Sequence, residues 1–173
     1  MDSRLPIRPT SDKARGAVFS SLASLIPDAK FLDVFAGTGA VGIEAVSRGA
    51  RLVIAVEQSP RAAALIAKNR ESLGIHPELL QIRVGSYARL LPELTGENFD
   101  VIFADPPYGD KLGAIVLELV DRCALLAPLG VLIVEHFAKE SLPVQVGKLV
   151  REKTRNYGQT EMSFFVKAGG STT

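Results

Sequence analysis

From residue 30 to residue 136, short apolar runs alternate with segments of helical periodicity. Parallel strands need helical crossovers of this kind, and strands covered by helices on both faces are nearly continuous in apolar residues. The alternation therefore predicts an α/β fold, a Rossmann-like, mostly parallel sheet with helices on both faces. The predicted parallel strands are residues 30–36, 51–57, 79–85, 99–105 and 130–136, and an antiparallel pair is predicted at 147–155 and 161–167.

Capping and turn residues complete the predicted order of elements. Ser11 or Asp12 caps a first helix that ends near Pro27. Asn156-Tyr157-Gly158 is predicted as the turn between the last two strands, because Asn and Gly adopt the conformations that tight hairpins require. The other predicted helices are residues 40–48, 61–73 and 111–126.

Composition limits the class of protein. A chain of 173 residues with 47% hydrophobic content can bury its own core, and we expect one domain over residues 1–173, with 1–10 as an N-terminal arm and 169–173 as a frayed tail. The single cysteine, Cys123, forms no internal disulfide, and the sequence does not open on a signal segment, so we expect a cytoplasmic protein. No apolar run reaches the ~20 residues of a membrane-spanning helix, and a net charge of +1 leaves any nucleic-acid partner to a local basic surface.

Two histidines are too few for a metal site here. His76 and His136 have no nearby Cys or His to complete a set of ligands. We therefore expect no metal and assign neither histidine a role.

The end of the first predicted strand leads into a glycine-rich turn. Residues 31–42 read Phe-Leu-Asp-Val-Phe-Ala-Gly-Thr-Gly-Ala-Val-Gly, a strand followed by G-x-G-x-x-G and then a predicted helix. This context is typical of nucleotide-type cofactor binding, because glycines let the cofactor approach the backbone closely. Glu57 ends the second predicted strand 20 positions after Gly37, where an acidic side chain accepts hydrogen bonds from both ribose hydroxyls.

Asp33 helps to distinguish two kinds of cofactor. A dinucleotide places its pyrophosphate at the start of the helix, and a carboxylate is out of place beside it. S-adenosylmethionine carries an ammonium group and a positive sulfur, and Asp33 is placed to reach its amino-acid end directly or through water. The alternative is a buried acid that accepts hydrogen bonds from loop amides.

The tetrapeptide Asp105-Pro106-Pro107-Tyr108 follows the fourth predicted strand. Proline removes backbone donors and fixes φ, so the carbonyl groups around it stay available to a planar amine. The ring of Tyr108 offers a flat surface for a base. Because strands one and four are neighbours in the usual doubly wound order, this tetrapeptide and the glycine-rich turn are predicted to share one crevice.

Three motifs together resemble the class I S-adenosylmethionine-dependent amino-methyltransferases: residues 33–39, Glu57 and the tetrapeptide 105–108. More narrowly, Arg8-Pro9-Thr10, followed by Arg15 and Phe19, is similar to the start of the bacterial 16S rRNA (guanine-N2)-methyltransferase family, RsmD type. The resemblance covers about residues 7–166.

This resemblance implies a seven-stranded sheet with a C-terminal antiparallel hairpin, and a monomer that uses S-adenosylmethionine to methylate one guanine of 16S rRNA in the assembling small subunit. The implied catalytic residues are Asp105, Pro106, Pro107 and Tyr108. The implied cofactor-binding residues are Asp33, Phe35, Gly37, Thr38, Gly39, Glu57, Gln58, Gly85, Ser86 and Asp105. The implied substrate-binding residues are Tyr108, Arg8, Thr10 and Arg15.

A second basic surface is predicted near the C-terminus. The family carries a basic β-hairpin before Arg8-Pro9-Thr10, where this sequence has residues 1–7. Arg151, Lys153 and Arg155 alternate along a predicted strand, and this spacing places them on one charged face that can meet RNA. The alternative is an edge strand protected from aggregation by its charges.

Other functions remain open from the sequence. An adenine-N6 methyltransferase acting on DNA or RNA needs the same tetrapeptide, although a short chain without a sizeable inserted domain favours structured RNA over duplex DNA. A nicotinamide-dependent oxidoreductase would share the fold and Glu57 but would leave Asp33 and the double proline without a role. A noncatalytic nucleotide-binding module is the remaining alternative.

Overall fold

The computed structural model of the protein describes residues 11–109 and 111–169. Its strands are β1 Lys30–Val34, β2 Leu52–Glu57, β3 Leu80–Val84, β4 Phe99–Ala104, β5 Leu126–Phe137, β6 Gln145–Val146, β7 Leu149–Tyr157 and β8 Thr160–Lys167. Its helices are α1 Asp12–Ser21, α2 Ala40–Ser47, α3 Pro60–Ser72, α4 Tyr87–Glu93 and α5 Leu112–Arg122. Within these residues the strands form one eight-stranded sheet in the order β3-β2-β1-β4-β5-β8-β7-β6.

The sheet has a parallel part and an antiparallel part. Strands β1 to β5 pair in parallel, and β8 then joins β5 in the antiparallel direction, followed by β7 and β6. The predicted fold class, a mostly parallel Rossmann-like sheet with a C-terminal antiparallel hairpin, is confirmed. The two-residue strand β6 was not predicted and adds an eighth strand at the edge.

Two apolar cores lie on opposite faces of the sheet. Along β1, Phe31 packs with α1, α2 and α3, whereas Leu32 and Val34 pack with α4 and α5. This alternation follows from the two-residue period of a strand, which sends successive side chains to opposite faces. The helices on both faces therefore match the near-continuous apolar character of the parallel strands.

The helices differ from the prediction in three places. The helix predicted over residues 111–126 ends at Arg122, because Ala124 has φ +49°, and Leu126 already begins β5, four residues before the predicted strand 130–136. The first helix ends at Ser21 rather than near Pro27, and residues 22–26 continue as hydrogen-bonded turns. Helix α4 was not predicted, because it has only seven residues and contains Pro92, which weakens a helical pattern. No helix among residues 11–109 and 111–169 has the length and apolar character needed to cross a bilayer.

Strand β7 contains a register shift that changes which residues share a face. Arg151 lies opposite Phe165, whereas Lys153 lies opposite Phe164. Phe165 and Phe164 belong to the cores on opposite faces, so the extra residue Glu152 reverses the alternation. The prediction of one charged face for Arg151, Lys153 and Arg155 is therefore wrong.

Lys153 and Arg155 share a face, and each places its cationic group over the ring of Phe164. Arg151 instead donates a hydrogen bond to the carbonyl oxygen of Leu142. The hairpin turn is formed by Gly158 and Gln159 rather than by residues 156–158, because β7 extends to Tyr157, and the Gly158 N–H donates a hydrogen bond to Oδ1 of Asn156.

Candidate active site

The loops that follow the parallel strands meet at one edge of the sheet. Val34 at the end of β1 lies opposite Val56 of β2 and Ala104 of β4, and Glu57 lies opposite Val84 of β3. This edge carries the predicted residues Phe35, Gly37, Thr38, Gly39, Glu57, Gln58, Gly85, Ser86, Asp105, Pro106, Pro107 and Tyr108. The two motifs that the sequence predicted to share a crevice are therefore on neighbouring strands.

The glycine-rich turn after β1 has an unusual backbone. Phe35 has φ +63°, which is uncommon for a residue with a side chain, and its ring packs against Tyr87 of α4 at a centroid distance of 5.0 Å. Gly39 has φ +79°, and a Cβ there would come within 2.8 Å of Ile66 on α3. Gly37 has φ +57° with no atom within 4 Å of an added Cβ, so its backbone faces open space that a ligand can enter.

The carboxylate of Glu57 connects two loops. Its Oε2 accepts a hydrogen bond from the Gly37 N–H at 2.7 Å, and its Oε1 accepts one from the Ser59 N–H at 2.8 Å. Each carboxylate oxygen has a second acceptor position, and Glu57 is half-buried rather than enclosed. The side chain can therefore hold the turn in place and still receive hydroxyl donors.

Asp33 is the buried acid of the site. Its residue is 1% exposed, and its Oδ2 accepts a hydrogen bond from the Gly42 N–H of α2 at 3.1 Å. Burial raises the pKa of Asp33 to about 7; the Gly42 hydrogen bond opposes this and the nearby charge of Glu57 adds to it. This contact is the alternative considered from the sequence, a buried acid on a loop amide, and contact with a cofactor stays a prediction.

The segment after β3 closes against Glu57. The Gly85 N–H donates to the carbonyl oxygen of Glu57 at 3.0 Å, and Arg89 donates to the carbonyl oxygen of Val84. Ser86 precedes α4, but its side chain makes no capping hydrogen bond. The Ser86 hydroxyl therefore lies at the same edge of the sheet and does not cap α4.

The tetrapeptide after β4 is anchored at both ends. The Asp105 N–H points to the carbonyl oxygen of Val34 at 3.4 Å, which continues the pairing of β4 with β1. Pro106 is buried, Pro107 is exposed, and the ring of Tyr108 stacks on Phe137 with a centroid distance of 3.7 Å and an interplanar angle of 26°. Phe137 was missed from the sequence, although an aromatic residue at the carboxyl end of the fifth strand was a usable signal.

A series of hydrogen-bonded polar side chains, beginning at the buried His136, supports the end of β5. The Nδ1 of His136 lies 2.9 Å from the carbonyl oxygen of Phe137, and its Nε2 lies 2.8 Å from the hydroxyl of Ser163, which contacts Thr154 in turn. A carbonyl only accepts, so Nδ1 carries a proton and donates. His136, to which the sequence assigned no role, therefore fixes the strand end from which Phe137 meets Tyr108.

Two of the predicted substrate-binding residues lie outside the part of the chain that the structure describes. These are Arg8 and Thr10. Arg15 pairs with Asp12 at 3.0 Å on α1, and its contact with substrate stays a prediction. Among residues 11–109 and 111–169, no group of three or more His, Cys, Asp or Glu side chains is arranged to hold a metal ion.

Several known proteins are similar to this chain in sequence and fold. The family model described as "Conserved hypothetical protein 95" matches residues 3–166. "Putative rRNA methyltransferase YlbH" of Bacillus subtilis is 32% identical over 94% of this chain and 89% of that protein. "Ribosomal RNA small subunit methyltransferase D" of Escherichia coli is 32% identical over 79% of this chain and 68% of that protein. The solved structure of "Putative methyltransferase yhhF" from Escherichia coli superposes with a TM-score of 0.81 at 28% identity, covering 92% of this chain and 87% of that one.

The family model covers the glycine-rich turn, Glu57 and the tetrapeptide, whose placement on one sheet edge the structure shows. The chain therefore belongs to the Conserved hypothetical protein 95 family, the RsmD type of small-subunit rRNA methyltransferases, and is an S-adenosylmethionine-dependent methyltransferase.

Proposed function

We propose that the protein transfers a methyl group to the exocyclic N2 amine of a guanine in 16S rRNA, acting as a cytoplasmic monomer on the small ribosomal subunit. One observation carries the proposal: Asp105-Pro106-Pro107-Tyr108 continues the β4 pairing with β1, directly beside the glycine-rich turn. The names of the relatives in Bacillus subtilis and Escherichia coli support rRNA as the class of substrate.

The residues at the sheet edge fit the cofactor. Glu57 offers two carboxylate oxygens for ribose hydroxyls, and Gly37 leaves open space against its backbone. Asp33 provides negative charge below the turn when it is ionised, which suits an ammonium or sulfonium group. When bound, S-adenosylmethionine supplies a methyl group on a positive sulfur that is already an activated leaving group.

The tetrapeptide prepares the nucleophile. The guanine amine is a weak nucleophile because its lone pair is delocalised into the ring. Hydrogen bonds from its two protons to the Asp105 carboxylate and the Pro106 carbonyl oxygen favour a pyramidal nitrogen with a directed lone pair. Once the new C–N bond has formed, the amine loses one proton to Asp105 or to water, so the site needs mainly alignment.

Tyr108 supports the base itself. A base must leave its helix or loop before its edge can react, and an extruded base gains stacking on an aromatic ring. The ring of Tyr108 is held by Phe137 on one side, which fixes its plane. Stacking therefore orients the amine relative to Asp105.

The test is a methylation assay with labelled S-adenosylmethionine on undermethylated 30S particles, bare 16S rRNA and DNA, followed by nucleoside analysis. We expect label in N2-methylguanosine of the 30S particles, appearing about 1,000-fold more slowly with the Asp105→Ala variant. Label in N6-methyladenosine would replace guanine by adenine as the target. Label in DNA but not in either RNA would overturn the proposal.

A further inference from the structure

A cavity of about 650 Å³ opens at the carboxyl edge of the sheet, next to the tetrapeptide. Its described lining residues come from three segments: Gly109 and Lys111 before α5, the end of β5 and the residues after it, including Phe137, Lys139 and Glu140, and the β7–β8 turn with Gln159. None of the described lining residues belongs to the loops after β1, β2 or β3, which carry the cofactor motifs. The volume lies within the roughly 300–1,000 Å³ typical of ligand pockets and is large enough for a nucleotide.

Phe137 gives this cavity an aromatic surface. The ring lines the cavity and also stacks on Tyr108 at 3.7 Å, so Tyr108 covers one of its faces. A base in the cavity can stack only on the ring surface that Tyr108 leaves open. The rings of Phe137 and Tyr108 then separate this base from a base stacked on the other face of Tyr108, and this separation suits a neighbour of the methylated nucleotide.

The charges around the cavity favour a phosphate. Lys111 and Lys139 both line it, and the ion pairs found among the described residues involve neither of them. Among the described lining residues the two lysines outnumber the one acidic residue, Glu140. A lysine ammonium binds phosphate as a point charge and does not need a fixed geometry.

We propose that this cavity binds a nucleotide of the RNA substrate that flanks the methylated guanine, with its base against Phe137 and its phosphate beside Lys111 and Lys139. The inference rests on the proposed function, because it assumes that an RNA strand reaches the tetrapeptide. It adds a binding site for a second nucleotide, and thus a source of sequence or shape preference around the target.

The test measures KM and kcat for methyl transfer to undermethylated 30S particles, with S-adenosylmethionine affinity followed by calorimetry. For Phe137→Leu we expect KM to rise about 10-fold, because the flanking base loses its stacking surface, and kcat to fall as well, because Tyr108 loses the ring that holds its plane. Phe137→Tyr keeps the ring and restores KM. Lys139→Ala raises KM several-fold and lowers the slope of log KM against log salt concentration by about 0.7, the effect of one lost phosphate contact.

Lys148→Ala is the matched control, because Lys148 lies in the turn before β7 at the opposite edge of the sheet. We expect its KM and salt slope to equal those of the parent protein. Normal methyl transfer with unchanged KM in both Phe137→Leu and Lys139→Ala would overturn this inference alone. A fall in kcat for Phe137→Leu with unchanged KM, and no effect of Lys139→Ala, would show that Phe137 only supports Tyr108 and would also overturn the inference. Absence of transfer by the parent protein would overturn the proposed function together with the inference.

Discussion

The two halves of the sheet edge are built in different ways. On the half formed by the loops after β1 and β2, carboxylates accept backbone N–H groups: Glu57 from Gly37 and Ser59, and Asp33 from Gly42. On the half formed after β4 and β5, the central contact is the stack of Tyr108 on Phe137, beside an open cavity.

Under the proposed function, this difference suits two kinds of ligand. A small cofactor is the same in every turnover, so a backbone held in place by short hydrogen bonds lowers the cost of ordering the loop on binding. An RNA strand brings aromatic bases and phosphates in a flexible chain, and rings and lysines tolerate variation in how such a chain lies. We therefore expect changes on the first half to act on cofactor affinity or stability, and changes on the second half to act on RNA.

Asp105 lies between the two halves and should show the largest effect. We expect Asp105→Ala to lower turnover about 1,000-fold, because the amine loses its charged acceptor in the transition state. Cofactor affinity, measured by calorimetry, should change only a few-fold. Equal losses of turnover and cofactor affinity would place Asp105 wholly on the cofactor half.

Asp33 should make the stability of the folded protein depend on pH. Its pKa is about 7 in the folded protein and 3.8 is its ordinary value, so between these values the folded protein holds a proton that the unfolded chain has released. The free energy of unfolding therefore falls as the pH rises through this interval. Asp33→Asn removes this dependence. We therefore expect the free energy of unfolding of the variant, relative to that of the parent protein, to increase by about 2–3 kcal/mol as the pH rises from 5 to 7.

Urea unfolding of both proteins at pH 5 and pH 7 measures this difference. Parallel pH profiles for the parent protein and Asp33→Asn would show that the carboxylate is ionised at pH 5 in the folded state, contrary to the cost expected from its burial.

Glu57 should act on the cofactor alone. In Glu57→Gln the amide presents an N–H₂ group to one of the two backbone donors, Gly37 or Ser59, and the loop loses one charge-assisted hydrogen bond. We expect the dissociation constant of S-adenosylmethionine to rise about 30-fold, with kcat at saturation little changed. Glu44→Gln is the control, because Glu44 of α2 pairs with Arg48, the residue that follows the helix. A larger effect on RNA KM than on cofactor affinity would contradict the division of the edge.

Tyr108 should show the smallest of these effects, on the other half. We expect Tyr108→Ala to raise KM for 30S particles about 10-fold, the loss of one base stack, with cofactor affinity unchanged. Tyr108→Phe keeps the ring and should behave as the parent protein. A requirement for the phenol hydroxyl would show that hydrogen bonding, rather than stacking, is what Tyr108 contributes.

The sequence was sufficient wherever structure depends on near neighbours. The run from Asp33 to Gly42 combines an apolar strand, glycines with positive φ and a helix start, and all of these are local properties of the chain. The spacing from Gly37 to Glu57 was likewise readable, because one crossover separates them, and the structure joins them by a hydrogen bond.

By itself, then, the sequence determined the α/β alternation, the two motifs and their common edge. Tertiary structure decided the rest, because it depends on pairings between distant segments and on burial. The register shift at Glu152 moved Arg151 to the opposite face, and the antiparallel return of β8 brought Gln159 to the cavity beside Phe137. The proton on Asp33 near neutral pH is of the same kind, since the cost of ionising that carboxyl comes from the layers packed around it and not from its neighbours in the chain.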